Sequence, residues 1–83
     1  MDRKQVIEKF APIIALYTQE KEVLANLSEE TDFLNDLKIN SANIVDIILD
    51  AEEAFDIEID DDSAEQMLTV GAAIDIILKQ QQA

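Results

Sequence analysis

The sequence predicts a small all-α protein, an antiparallel four-helix bundle with three main helices and one short helix. Its 83 residues include one Gly and one Pro, whereas a turn-rich β domain needs Gly and Asn at its hairpins. Apolar residues recur at spacings of three and four, which is typical of amphipathic helices. Hydrophobic residues make up 48% of the chain, too many for a disordered acidic tail. We therefore expect a single domain over residues 1–83.

The first helix is predicted over about residues 2–18, where one face carries Val6, Ile7, Phe10, Ile13, Ile14 and Tyr17. Pro12 removes a backbone donor, so we expect a kink or an early end. In the long connection from 19 to 40, Glu20–Leu27 is helical, either as a continuation of the first helix or as a separate turn. A break follows at Ser28, and apolar side chains then attach the connection to the core: Phe33, Leu34 and Leu37.

The second main helix is predicted from about residue 42 to 55, with Ser41 or Asn40 as its N-cap. At ~100° per residue, one arc forms the core face: Ile44, Ile47, Ile48, Ala51 and Phe55. A second arc is acidic, with Asp46, Asp50 and Glu53, and between the two arcs lie Val45, Leu49 and Glu52. The off-core apolar pair is either ordinary scattered surface or the centre of a docking surface with a charged rim.

The last third of the chain predicts a loop over Asp56–Asp62, with Ile57 and Ile59 pointing inward. Ser63 or Asp62 then caps a short helix that runs to about Leu68. Thr69 caps the final helix, Val70–Lys79, whose apolar face comprises Val70, Ala73, Ile74, Ile77 and Leu78. We expect Gln80–Gln82 to be a frayed end.

The charge distribution excludes several functional classes. Lys and Arg total 6 and Asp and Glu total 19, for a net charge of −13, which disfavours nucleic acid as a partner. Residues 39–78 contain no base, so this half either binds a partner rich in Lys and Arg or is a solubilising surface.

No segment is apolar enough for a membrane span or a signal peptide, which predicts a cytoplasmic chain. We also expect a monomer.

The chemistry of the side chains argues against an enzyme. The chain has no Cys and no His, so it lacks thiolate nucleophiles, imidazole bases and the usual zinc ligands. Paired carboxylates are abundant, but a domain of this size has little room for a catalytic cleft. The run Asp56–Asp62 is similar to a calcium loop, yet Asp61 occupies the position of the loop's Gly and Met67 that of its bidentate Glu. We expect no dedicated metal site, and a weak divalent site remains an alternative.

Ser41 is the remaining candidate functional residue. It begins the best-defined helix, where it is either a capping serine or a site that favours a phosphate, because backbone N–H groups and the helix dipole attract anions there. The side chains of Asn40 and Asn43 are neutral and would not repel such a group.

Four stretches of the sequence follow a known pattern. They are Asp36-Leu37-Lys38-Ile39-Asn40-Ser41-Ala42, Ile44-Val45-Asp46-Ile47, Glu52-Glu53-Ala54-Phe55-Asp56-Ile57-Glu58-Ile59 and Thr69-Val70-Gly71. The chain therefore resembles the acyl carrier proteins, whose pattern is Asp-Leu-Gly-Ala-Asp-Ser-Leu, a Val-Glu-Leu-like helix, Glu-Glu-x-Phe-Asp-Ile-Glu-Ile and a Thr-Val-Gly helix. The likeness is strongest over residues 31–78, and its second half is highly specific.

The resemblance implies that Ser41 carries 4′-phosphopantetheine, transferred from coenzyme A by a separate magnesium-dependent phosphopantetheinyl transferase. Acyl groups would ride on its thiol as thioesters and be presented to enzymes of fatty-acid, polyketide or related lipid synthesis. Basic patches of these enzymes would dock on Asp46, Glu52 and Glu53 around Val45 and Leu49, and the angular positions add Asp50. A core lined by Phe10, Ile47, Ala51, Phe55 and Ile74 would open to shelter the acyl chain.

Departures from the family pattern indicate a specialised carrier. Asn40 replaces the Asp before the serine, Ala42 replaces the Leu after it, Lys38 replaces the Gly, and Ala51 replaces a larger Leu. An acidic contact for the transferase is thereby lost, so we expect slow modification or a dedicated transferase. Two other hypotheses stay open: a non-modified acidic helical module that binds a basic protein, and a small calcium-binding protein.

Overall fold

The helices are those expected of an all-α domain, with one addition. A computed structural model describes residues 2–82, so Met1 and Ala83, the ends of the predicted domain, lie outside the described residues. Five helices follow one another: α1 (Arg3–Ala15), α2 (Lys21–Ala25), α3 (Ser41–Phe55), α4 (Asp61–Glu65) and α5 (Val70–Gln81). The all-α class and the three main helices are confirmed. The fifth element is α2, because the ambiguous segment after the first helix forms a separate short helix.

α1 begins with a reciprocal cap. The carboxylate of Asp2 accepts a hydrogen bond from the backbone N–H of Gln5 at 2.8 Å, and the Gln5 side chain accepts from the Asp2 N–H at 3.1 Å. These bonds satisfy two of the donors that a helix N-terminus leaves unpaired. Pro12 lies inside α1, and the helix continues past it to Ala15, three residues short of the predicted end.

The core forms where α1 packs against α3 and α5. The ring of Phe10 makes edge-to-face contacts with Phe33 and Phe55, at centroid distances of 6.1 and 6.4 Å, a geometry that aromatic rings prefer. Phe33 and Leu37 are buried and attach the long connection to the core as predicted, whereas Leu34 is exposed. The predicted apolar faces of the main helices are buried or half-buried, and Ile57 and Ile59 pack against the core.

Backbone hydrogen bonds fasten the long connection to the start of α5. The N–H of Val70 donates to the Thr31 carbonyl at 2.9 Å, the N–H of Gly71 to the Glu29 carbonyl at 2.9 Å, and the N–H of Phe33 to the Leu68 carbonyl at 3.1 Å. Because these bonds join backbone to backbone, the two segments approach closely.

Gly71 is the point of closest approach. A Cβ atom at this position would lie 2.7 Å from the carbonyl oxygen of Glu29 and 2.9 Å from the Glu29 Cβ. Both distances are shorter than real Cβ contacts, so any side chain would push the two segments apart. The requirement for glycine here is therefore a packing requirement.

An ion cluster covers the contact between the long connection and the start of α5. The guanidinium of Arg3 binds both carboxylate oxygens of Glu29 and, at 2.5 Å, an oxygen of Asp75. These hydrogen bonds lower the pKa of Glu29 and raise that of Arg3. The cluster links the start of α1, the long connection and α5, which are far apart in sequence.

Several helix ends differ from the predicted ones. Of the two candidate caps for α3, Asn40 is confirmed and Ser41 is not, since the Asn40 side chain accepts from the N–H of Ala42 at 2.9 Å. Asp60, rather than Ser63 or Asp62, caps α4 by accepting from the Ser63 N–H at 2.7 Å. α4 ends at Glu65 instead of Leu68, and α5 continues to Gln81. The predicted frayed end is therefore wrong for its first two residues. Thr69 caps α5 as expected.

No helix within residues 2–82 is long and apolar enough to cross a membrane.

Replacing Gly71 by Ala tests the close approach. In an exposed helix interior this change stabilises by about 1 kcal/mol, but here the added methyl group overlaps the Glu29 backbone. We expect Gly71→Ala to lower the free energy of unfolding by roughly 1–3 kcal/mol, measured by urea denaturation. Ala72→Gly is the matched control, because it changes only helix propensity at the next position. A Gly71→Ala protein at least as stable as the parent would contradict the packing requirement.

Candidate functional site

Ser41 is exposed at the first residue of α3. Because Asn40 caps the helix, the hydroxyl of Ser41 has no role in capping, and it makes no hydrogen bond to any residue between 2 and 82. The hydroxyl therefore stands exposed at a helix N-terminus, next to backbone N–H groups that favour an anion.

The loop before Ser41 is held rigidly. The Asp32 carboxylate accepts from the N–H groups of Leu34 and Asn35 at 2.8 and 2.9 Å, which lowers its pKa. The N–H of Asp32 in turn donates to the Asp36 carboxylate at 2.8 Å. Ile39 is buried and its N–H donates to the Phe33 carbonyl at 3.0 Å. These bonds fix the path of the loop and so the direction in which the chain enters α3 at Ser41.

Lys38 has a left-handed backbone, with φ of 54°. This conformation costs an L-residue roughly 1–2 kcal/mol and is the one that glycine adopts freely. The geometry explains why a glycine at this point suits the family pattern. Lys38 nevertheless occupies it, and its ammonium lies 3.8 Å from the Glu20 carboxylate.

An open groove of about 260 Å³ borders the start of α3. It is lined by Tyr17, Gln19, Glu20, Leu37, Lys38, Asn40 and Asn43. A second groove, of about 390 Å³, lies near the other end of α3 and is lined by Glu52, Glu58, Ile59, Asp60 and Gln80. Among the described residues, no three Asp or Glu side chains are arranged to hold a metal ion.

The structure divides the predicted docking residues of α3 into two groups. Val45 and Leu49 are 58% and 56% exposed, and Asp46 and Glu53 are exposed beside them. These four side chains form a surface with an apolar centre and an acidic rim. We call them the α3 outer face.

The other two predicted docking acids, Asp50 and Glu52, are half-buried and accept hydrogen bonds from other parts of the protein. The hydroxyl of Tyr17 donates to the Asp50 carboxylate at 2.6 Å, and the backbone N–H of Ile59 donates to the Glu52 carboxylate at 2.9 Å. Helical angles alone could not reveal these bonds, because the partners lie in other parts of the chain. Both carboxylates still add negative charge near the α3 outer face, but one oxygen of each already accepts a hydrogen bond.

Comparisons with known proteins agree with this geometry. The sequence matches no protein-family model. It is 38% identical to an acyl carrier protein of Rubrobacter xylanophilus over the full length of both chains. The chain belongs to the acyl carrier protein family. An acyl carrier protein of Desulforapulum autotrophicum is 50% identical over 50 residues, which cover 60% of this chain and 65% of that one.

The fold supports the same family. The solved structure of the acyl carrier protein from Enterococcus faecalis superposes with a TM-score of 0.77 at 31% identity, over 96% of this chain and 99% of that one. The likeness spans nearly the whole carrier fold, including the connection that precedes Ser41. The departures at Lys38, Asn40 and Ala42 therefore occur in a chain that shares this fold.

The single tyrosine of this carrier reports on the Asp50 hydrogen bond. That bond raises the pKa of Tyr17 to about 12 from its ordinary value of 10.0. We expect ultraviolet absorbance to show tyrosinate formation with a midpoint near 12 in the folded protein, shifted toward 10 in Asp50→Asn. Because the folded-state pKa is raised, the bond stabilises the fold fully below pH 10, and this stabilisation is lost as the pH rises through 12.

Glu53→Gln is the control, because it removes an equal charge from α3 without touching Tyr17. A parent midpoint near 10, or equal midpoints in the parent and Asp50→Asn, would contradict the bond.

Proposed function

We propose that this protein is an acyl carrier whose Ser41 bears a 4′-phosphopantetheine arm. The observation that carries the proposal is the exposed hydroxyl of Ser41 at the start of α3, left free because Asn40 performs the capping. Membership of the acyl carrier protein family supplies the context. The arm would hold acyl groups as thioesters and present them to enzymes of fatty-acid, polyketide or related lipid synthesis.

The residues around Ser41 fit a phosphodiester. The polar side chains of Asn40 and Asn43, close to Ser41 in sequence, are neutral, and Lys38 brings one positive charge to the same groove. The helix N-terminus adds its own attraction for an anion. The arm supplies a thiol, which this Cys-free chain lacks.

Attachment requires a separate enzyme. Ser41 Oγ attacks the pantetheine-bearing phosphorus of coenzyme A, its proton passes to a base of the transferase, and adenosine 3′,5′-bisphosphate leaves with the broken P–O bond. A magnesium ion bound by the transferase neutralises the phosphate charge during this step. The carrier presents the hydroxyl and, with neither His nor Cys, provides no catalyst of its own. We propose that it works as a single domain, monomeric and cytoplasmic.

Intact mass spectrometry tests the attachment. After incubation with coenzyme A, Mg²⁺ and a broad-specificity phosphopantetheinyl transferase, we expect a mass gain of one phosphopantetheinyl group. Ser41→Ala abolishes the gain because it removes the nucleophile, whereas Ser28→Ala, at another exposed serine, leaves it unchanged. Failure of the folded parent to gain mass, beside a known carrier that does, would favour the non-modified module that binds a basic protein.

We propose further that partner enzymes dock on the α3 outer face. Val45 and Leu49 would fill an apolar depression, and Asp46 and Glu53 would meet Lys and Arg around it. Asp50 and Glu52 are half-buried and one oxygen of each already accepts a hydrogen bond, so they would contribute mainly through their electrostatic field. Rim charges speed encounter more than they add lasting affinity, which suits a carrier that must visit and leave several enzymes.

Charge reversal tests this surface. We expect Glu53→Lys to lower kcat/KM for loading by the transferase roughly 10-fold, mainly through KM, because a favourable charge contact becomes repulsive. The loss should shrink at high salt. Glu65→Lys is the matched control, since it makes the same charge change on exposed α4. Equal losses in the two variants would show that only net charge matters and would contradict docking on this face.

A further inference from the structure

We infer that the groove between the α1–α2 connection and the start of α3 holds the base of the arm, with the Lys38 ammonium paired to the phosphodiester on Ser41. This inference rests on the proposed attachment of phosphopantetheine to Ser41. The groove would thereby orient the arm, which otherwise would extend freely from an exposed helix end.

The first observation is the position of Lys38. It is the single base between residues 22 and 78, and it lies three residues before Ser41 on the wall of the groove. Its left-handed backbone favours glycine. The side chain is 72% exposed, and its one ion pair within residues 2–82, with Glu20 at 3.8 Å, is long. An exposed pair of this kind contributes little to folding, so the fold itself gives no reason for a lysine here.

The second observation is the set of free polar groups in the groove. The side-chain amides of Gln19 and Asn43 make no hydrogen bond within residues 2–82, and only the oxygen of the Asn40 amide is used. Pantetheine carries two amides and a hydroxyl along a chain that begins with a gem-dimethyl group. Amide side chains can donate to and accept from such amides. Leu37 and the ring of Tyr17 provide apolar surface for the methyl groups.

The third observation is that the groove is preformed. The hydroxyl of Tyr17 is held by Asp50 at 2.6 Å, and the hydroxyl of Thr18 donates to the Leu37 carbonyl at 2.7 Å. These bonds connect the segment after α1 to both α3 and the connection before it. Glu20 is the one acid among the described residues of the groove wall, and its long ion pair with Lys38 would open when the ammonium binds a phosphate.

Nuclear magnetic resonance tests the placement. Apo and holo samples labelled with ¹⁵N, with loading at Ser41 verified by intact mass, are compared. We expect the largest shift changes on loading at the side-chain amides of Gln19 and Asn43 and the backbone amides of Glu20 and Lys38. Lys38→Gln should reduce these changes by roughly half or more, because the charge-assisted contact is lost. Lys79→Gln, which removes an exposed charge from α5, should leave them intact.

Two further variants protect the test from a folding artefact. Lys38→Arg keeps the charge and should retain the shift changes, whereas Lys38→Gly suits the left-handed backbone and should lose them in a well-folded protein. Loading with changes confined to the residues next to Ser41, or moved to residues 57–60 beside the second groove, would overturn this inference alone. So would undiminished changes in Lys38→Gln. Failure of Ser41 to gain mass would overturn the attachment as well, since no arm would exist to be held.

Discussion

The close backbone pairing between residues 29–33 and the start of α5 is the constraint on which the rest of the structure depends. Three backbone hydrogen bonds form it, Gly71 permits the approach, and Arg3 covers it with ion pairs to Glu29 and Asp75. A connection of this length would otherwise be free to move. The connection is fastened at this point and anchored in the core by Phe33 and Leu37. The direction in which the chain enters α3 at Ser41 is therefore fixed.

α3 performs different tasks around its circumference. Its inner face supplies the core through Ile47, Ala51 and Phe55, and its outer face leaves Val45 and Leu49 exposed. Between the two faces, Asp50 and Glu52 accept hydrogen bonds from other segments. These bonds serve the fold, and in a chain of net charge −13 they also give two carboxylates polar partners instead of further repulsion. Negative charge is thus retained on α3 without leaving every acid unpartnered.

Periodicity predicted the three main helices and their buried faces because burial of apolar side chains dominates the choice of helix orientation. It could not decide whether the helical segment after α1 continues that helix or forms the separate α2, since five residues carry too short a pattern. The caps at Asn40 and Asp60 depended on which of several neighbouring polar side chains reaches a free N–H, a matter of local backbone geometry. The site was predicted at Ser41 from family motifs, whereas the partner of Asp50 lies 33 residues away and leaves no local signal.

At Lys38 the residue present differs from the glycine that its left-handed backbone favours. A left-handed residue that is not glycine persists only when surrounding structure imposes it, and such residues concentrate where function is located. Here Leu37 and Ile39 are buried on either side and impose the backbone conformation of residue 38. The fold therefore sets the direction of the side chain at this position, whichever residue occupies it. A glycine would suit the backbone better and leave the groove without a positive charge. The proposed pairing of Lys38 with a phosphodiester on Ser41 would give the lysine a role that offsets this modest conformational cost.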